Sequence, residues 1–178
     1  MFTIHKCEGI VIRIIPYSES SLITTWFTDS AGIIQLIARG AKRKKQHNYD
    51  PIDLLNFAEV SYRSNERKQI HTAQQIQVKE SNRDIAVVYS KLLTLIYFFE
   101  VLAQLVETNT PLPEQYILFT KAIDYMKTNK SSQALVERYE RRLLTSLGLP
   151  HESLSIEQAR AKHYSKRPKS WASLQKHL

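Results

Sequence analysis

The chain has 178 residues, 25 Lys and Arg against 17 Asp and Glu, and a formal net charge of +8. With 43% hydrophobic and 24% charged residues, its composition is that of a globular protein and excludes general disorder. A single cysteine, Cys7, excludes an internal disulfide and a cysteine-rich zinc site, and 4 Gly supply neither a Walker loop nor a dinucleotide fingerprint.

The N-terminus, MFTIHKCEGIV, lacks the charged, apolar and small-residue regions of a signal peptide. From Cys7 to Lys79 five short runs rich in Val, Ile, Thr, Phe and Tyr predict strands over Gly9–Ile15, Ser21–Thr28, Ile33–Arg39, Leu54–Tyr62 and Lys68–Val78. Pro16 closes the first, TDSAG (Thr28–Gly32) turns the second into the third, and RSNER (Arg63–Arg67) separates the last two. Five short strands imply a small closed barrel, because closure removes exposed edges.

After Ser81 the apolar period changes from two to about 3.6. Ser81 or Asn82 can cap a helix with Ile85, Val88, Leu92, Leu95, Ile96, Phe99, Leu102 and Val106 at its apolar positions and Lys91 exposed. The run from Ile85 to Val106 is long enough to cross a bilayer, but Lys91, Glu100 and Gln104 interrupt it, so it reads as a core helix. TNTPLPEQ (Thr108–Gln115) breaks it and starts the next helix, which continues through Ile117–Met126. A third helix, Ala134–Leu147, ends at Gly148 with Pro150 just beyond. Ser155 with Gln158 forms a capping-box pattern for a short fourth. The fold class is α+β with two domains: a barrel over 1–80, and a helical domain over 81–178 with a basic C-terminal tail. A cytoplasmic protein without membrane association is expected.

Residues 1–80 hold eleven Lys or Arg against eight Asp or Glu, residues 81–157 hold eight against nine, and residues 158–178 hold six against none. The stretch ARGAKRKKQHNYDP (Ala38–Pro51) carries Arg39, Lys42, Arg43, Lys44 and Lys45 before its first acid, Asp50. Such a block is either a solvated loop or an anion site. Its place between the third and fourth strands favours successive phosphates. Arg13 and Arg63 extend the patch if their strand faces agree. Tyr17, Trp26, Tyr49 and Tyr62 are candidate platforms for stacked bases. The tail, with Arg160, Lys162, Lys166, Arg167, Lys169, Lys176 and Trp171, reads equally well as a floppy, soluble end. No Ser sits in a nucleophile elbow, the six His form no His-x-x-x-His pair, and Asp50 with Asp53 reads as an Asp-Pro turn rather than a metal pair. A binding protein is expected, with no enzyme activity, cofactor or metal. Charge and barrel shape do not separate DNA from RNA, nor exclude a protein adaptor.

The stretch GIVIRIIPYSESSLITTWFTDSAGIIQLIARGAKRKK (Gly9–Lys45) resembles the opening of the RecO family of bacterial recombination mediators, and EVSYRS (Glu59–Ser64) resembles its fourth strand. The resemblance implies an N-terminal OB-fold followed by a helical domain. It implies binding of single- and double-stranded DNA, annealing of complementary strands, and partnership with RecR in loading RecA. It also implies a nucleoid-associated location and engagement of the acidic tail of single-stranded DNA-binding protein. For that tail, Arg138, Arg141 and Arg142 beside Leu143 and Leu144 are the candidate residues; the plainer alternative is pairing with Glu137 and Glu140 on a solvated helix. Many relatives carry a Cys-rich zinc module in the helical region and run on further at the C-terminus. No cysteine follows Cys7 here, so that module is not available.

Overall fold

Five strands close into a barrel in the order β1-β2-β3-β5-β4 in the computed structural model, which describes residues 2–43, 48–65 and 69–178. They are β1 (Phe2–Pro16), β2 (Leu22–Thr28), β3 (Gly32–Ala38), β4 (Phe57–Asn65) and β5 (Ile70–Glu80). Every neighbouring pair is antiparallel except β3 with β5, where Gln35, Leu36 and Ile37 face Ile70, His71 and Thr72 in parallel register. This is the OB-fold order, and helices follow it, as the α+β reading expects.

The first strand is longer than its sequence signal. It begins at Phe2 rather than Gly9 because it has two partners: Phe2–Ile10 pairs with β4, and Gly9–Pro16 pairs with β2. The register with β2 shifts between Val11 and Arg13, a bulge that bends the strand just past Gly9 and Ile10, where the two ladders overlap. Inward positions of all five strands fill the interior, with Val11, Trp26, Leu36, Val60, Tyr62 and Ile76 in one buried cluster.

The chain divides into two compact units, Met1–Asp84 with Thr108–Pro113, and Ile85–Glu107 with Glu114–Leu178. Residues 108–113, which the sequence presents as a break between helices, pack with the barrel. Asn109 donates its backbone N–H to Ile33 O at 2.9 Å, and its side-chain oxygen lies 3.0 Å from His71 Nε2. Gly32 takes φ +66 beneath this segment, and a Cβ there would stand 1.9 Å from the Thr110 carbonyl oxygen.

The predicted long helix is two pieces, α1 (Arg83–Ala86) and α2 (Tyr89–Leu105). Val87 and Val88, β-branched and 69% and 41% exposed, interrupt it. Asn82 does not cap; its buried amide donates to Leu55 O at 2.9 Å. Lys91 is half-buried rather than exposed, and its ammonium donates to Met126 O at the end of α3 (Pro113–Thr128). The buried face of α2 runs through Tyr97, Phe98, Val101 and Leu102. Phe98 stacks on Tyr139 of α4 (Gln133–Ser146) with centroids 3.8 Å apart. Gly148, at φ +67, ends α4 as the sequence predicts. The Ser155–Gln158 capping box is formed in both directions at the start of α5 (Ile156–His163), and a short α6 (Trp171–Gln175) follows. No helix among the described residues is long and apolar enough to cross a membrane.

Two of the three left-handed glycines, Gly32 and Gly148, separate steric from torsional cost. Gly32→Ala drives a Cβ into backbone and is expected to destabilise by roughly 3 kcal/mol or more. Gly148→Ala, with nothing within 4 Å of the added carbon, is expected to cost about 1 kcal/mol. Urea unfolding of both variants measures the difference; equal losses would contradict the packing of Thr110 over Gly32.

Candidate nucleic-acid interface

The described residues of the basic stretch are not a free loop. Within it Ala41 and Tyr49, and just after it Ile52, pack against the barrel core. Tyr49 donates its hydroxyl to Ala73 O at 2.9 Å, and residues 48–50 run beside β5 through Ile76 N to Asn48 O and Asp50 N to Ile76 O, both 2.9 Å. The Asp50 carboxylate accepts from Val78 N at 2.8 Å, so it is spent on strand geometry. No group of acids, His and Cys among the described residues could hold a metal ion.

The cationic end is stitched to the β1–β2 loop, residues 17–21. Lys42 donates its backbone N–H to Ser20 O at 3.0 Å and its ammonium to Ser18 O at 2.9 Å. Gly40, at φ +77, lets the chain turn, and Arg43 N closes the turn on Gly40 O at 2.9 Å. Between the two loops lies an open cleft of about 400 Å³. Tyr17, Ser20, Ser21, Ile37, Arg39 and Arg43 line it, and Tyr17 is 62% exposed. Two guanidinium forks, serine hydroxyls and an exposed aromatic ring in a space of that size match a phosphate with its base.

The sequence-derived residues therefore divide. Arg39, Arg43 and Tyr17 share the cleft, and Lys42 buttresses its rim. Lys44 and Lys45 lie outside the described residues. Arg13, just past the β1 bulge and opposite Thr25, is exposed on a strand, as is Arg63 opposite Ile4 on β4; neither lines the cleft.

Two aromatic candidates are corrected. Trp26 is 0% exposed, and its indole N–H donates to Thr24 Oγ1 at 2.8 Å inside the barrel. Tyr62 is 4% exposed and sandwiched between His5 and His71, at 5.1 and 5.5 Å between ring centroids. A closed barrel turns alternate residues inward, and both fall on that side. Neither ring can stack a base. Tyr49 is likewise committed to the core side. Sequence reasoning missed Ser20, Ser21 and Ile37; the short polar turn SESS was the signal for the serines. The His5–Tyr62–His71 ladder has no sequence signal, since its members are brought together only by strand register.

In the helical unit, α3 and α4 enclose a second cavity of about 120 Å³. Leu118, Ala122 and Leu135 form its apolar wall, and Lys121, Arg138 and Arg142 rim it. Tyr139, also in the lining, has a buried hydroxyl without a hydrogen-bond partner. Arg141 points elsewhere and reaches Leu154 O at 3.4 Å. The expected pairing with Glu137 and Glu140 is not what forms: Glu137 accepts from Gln133, and Glu140 is fully buried against Arg160.

Residues 1–82 match the family described as Recombination protein O N terminal. The chain is 30% identical over 148 residues to "DNA repair protein RecO" of Halalkalibacterium halodurans, covering 83% of this chain and 58% of that protein. It is also 30% identical over 146 residues to the protein of that name from Acetivibrio thermocellus, covering 80% and 57%. The corresponding Listeria monocytogenes protein is 30% identical over 145 residues, covering 82% and 56%. The chain thus spans a little over half the length of these curated relatives.

Two buried acids inside the barrel tie stability to pH. Burial raises the Cys7 thiol from 9.0 to about 12, with the charge of Asp29 adding to it. Burial, then Cys7, raises the Tyr62 phenol from 10.0 to about 12. The folded state holds both protons more tightly, so their stabilisation is complete below the unfolded pKa values and is lost as pH rises through the folded ones. Unfolding free energy is expected to fall between about pH 9 and pH 12. Tyr62→Phe keeps the ring and removes its proton, so its stability profile by urea unfolding should decline less steeply; an identical slope would place the phenol in solvent.

Proposed function

The chain resembles the RecO family of DNA repair proteins, and from that premise we propose that it is a DNA repair and recombination mediator. It binds single- and double-stranded DNA and anneals complementary strands. With RecR it helps load RecA on DNA coated by single-stranded DNA-binding protein, in the cytoplasm at the nucleoid. The observation that carries this reading is the cleft in which Arg39, Arg43 and Tyr17 converge on a barrel of OB order.

The mechanism is electrostatic and makes no covalent bond. Two complementary strands repel each other. Arg39, Lys42 and Arg43 displace counterions from the backbone of one strand and lower that repulsion. Tyr17 offers a ring to one base without selecting its identity, because every base has a π face. Lys44 and Lys45 continue the charge along the sequence, and Arg13 and Arg63 add cations on the barrel wall.

The cavity between α3 and α4 supports the partner reading. Its apolar wall and cationic rim fit an acidic peptide that ends in an apolar residue and a carboxylate, as the tail of single-stranded DNA-binding protein does. Arg138 and Arg142 are the recognition residues; Arg141 is instead directed to Leu154 O.

Replacing Arg39, Lys42 and Arg43 together by Ala should weaken oligonucleotide binding and lower the salt slope by about two, given about 0.7 per phosphate for single strands. Tyr17→Ala should cost about 1–3 kcal/mol with little change in that slope. Fluorescence anisotropy across a salt series reads both. Unchanged binding by the triple variant at moderate salt would sink the reading, and preference for an RNA competitor would redirect it to RNA.

A labelled acidic tail peptide should bind the parent protein. It should lose at least about tenfold in affinity to an Arg138→Glu, Arg142→Glu variant, as expected when rim cations become like charges. Undiminished affinity would remove these residues from the partner site.

A further inference from the structure

Residues 158–178 carry six cations and no acid, yet the segment is not left to fray. Arg160 turns inward. Its Nε and Nη2 donate to the Glu140 carboxylate at 2.9 and 2.7 Å, and its guanidinium lies 4.4 Å from the Trp171 ring centroid. The hydroxyls of Tyr97 and Tyr164 donate to the same carboxylate at 2.6 and 3.0 Å. Further along, Ser165 Oγ and Lys166 N donate to Gln104 Oε1 at 3.2 and 3.1 Å. Ser170 N and Oγ donate to Glu100 Oε2 at 3.0 and 2.7 Å. Glu100 and Gln104 stand one turn apart on α2, so the backbone of 165–170 is pinned along that helix. Trp171 and Leu174 are buried at 4% and 0% exposure.

One cation of the six is therefore neutralised inside, as the anchor. The other five, Lys162, Lys166, Arg167, Lys169 and Lys176, are exposed, and none forms an ion pair among the described residues. Three of them fall within four consecutive positions, 166–169, on pinned backbone. The nearby Glu100 carboxylate is taken up by Ser170 and pairs with none of them; holding unpaired like charges at fixed, close positions raises the surface potential and is unfavourable unless a polyanion covers them.

We infer that residues 162–176 form a second nucleic-acid-binding surface, which holds the phosphate backbone of a DNA strand on the helical unit. This rests on the annealing function proposed above and extends it: an annealing protein must hold two polyanions, and the barrel cleft accounts for one. Nucleic acid is favoured over an anionic lipid surface because the apolar side chains of the segment face inward. Trp171 and Leu174 are buried, which leaves no apolar face to insert between headgroups.

The test uses the full chain and three proteins: the parent, a surface variant (Lys166→Glu, Arg167→Glu, Lys169→Glu), and the barrel variant with Arg39, Lys42 and Arg43 replaced by Ala. Titration with labelled strands of about ten nucleotides, near the span of one OB-fold site, counts strands bound per chain. Stopped-flow fluorescence gives the annealing rate. The parent should bind two strands. The surface variant should bind one, with affinity within threefold of the parent's tighter site, and anneal at least about tenfold more slowly. A surface variant that binds two strands and anneals within twofold of the parent overturns the inference. If the barrel variant still binds two strands, the barrel reading fails and the surface is judged by its own variant alone. If the surface variant keeps both strands but no longer floats with phosphatidylserine vesicles, the surface is a lipid one and the inference is overturned. Should the Glu variant unfold by circular dichroism, the matching Gln variant, which adds no repulsion, is held to the same criteria.

Discussion

A barrel closes only if one strand can serve both edges of the sheet, and here β1 does so. Its first half pairs with β4 and its second with β2; the two ladders overlap at Gly9 and Ile10, and a bulge between Val11 and Arg13 follows. Closure then decides which side chains are available for function. It sends Trp26 and Tyr62 to the interior, while Tyr17, on a loop that leaves a strand end, stays exposed. The β1–β2 loop and the basic stretch meet at one of those ends. Their backbone hydrogen bonds, rather than side-chain packing, set the spacing between Tyr17 and the two arginines.

Charge is arranged by the same logic in both units. Cations that could scatter on flexible backbone are instead fixed by polar anchors: serine carbonyls beneath Lys42, and Glu100, Gln104 and Glu140 beneath the segment after Ala159. Acids are turned inward or spent on backbone, as with Asp50 and Glu140. A net charge of +8 is thus less informative than where it is left unpaired.

Much of this was legible in the sequence. Five alternating runs and their turn residues point to the barrel, and capping patterns at Ser155 and Gly148 place helix ends. What was not legible depends on register and on tertiary partners. The sequence could not say that Trp26 faces inward, because one residue of slip exchanges the two faces of a strand. It gave Lys91 to solvent because periodicity does not see the Met126 carbonyl across the helix pair. It left the tail open between a floppy end and a site because nothing local marks Glu140, twenty residues earlier, as the partner of Arg160. Of the candidate residues, Tyr17, Arg39 and Arg43 sit on turn-rich loops and share one cleft, since loop position follows from strand assignment. Trp26 and Tyr62 sit on strands and face inward, which strand assignment alone does not fix.

Glu140 has one further consequence. Its single carboxylate gathers donors from α2, from α5 and from the chain beyond it, so no one of these contacts can open without unbalancing the rest. Opening that would elsewhere proceed residue by residue is made concerted: amide protons of α5 and α6 should exchange with solvent only when the carboxylate itself is exposed.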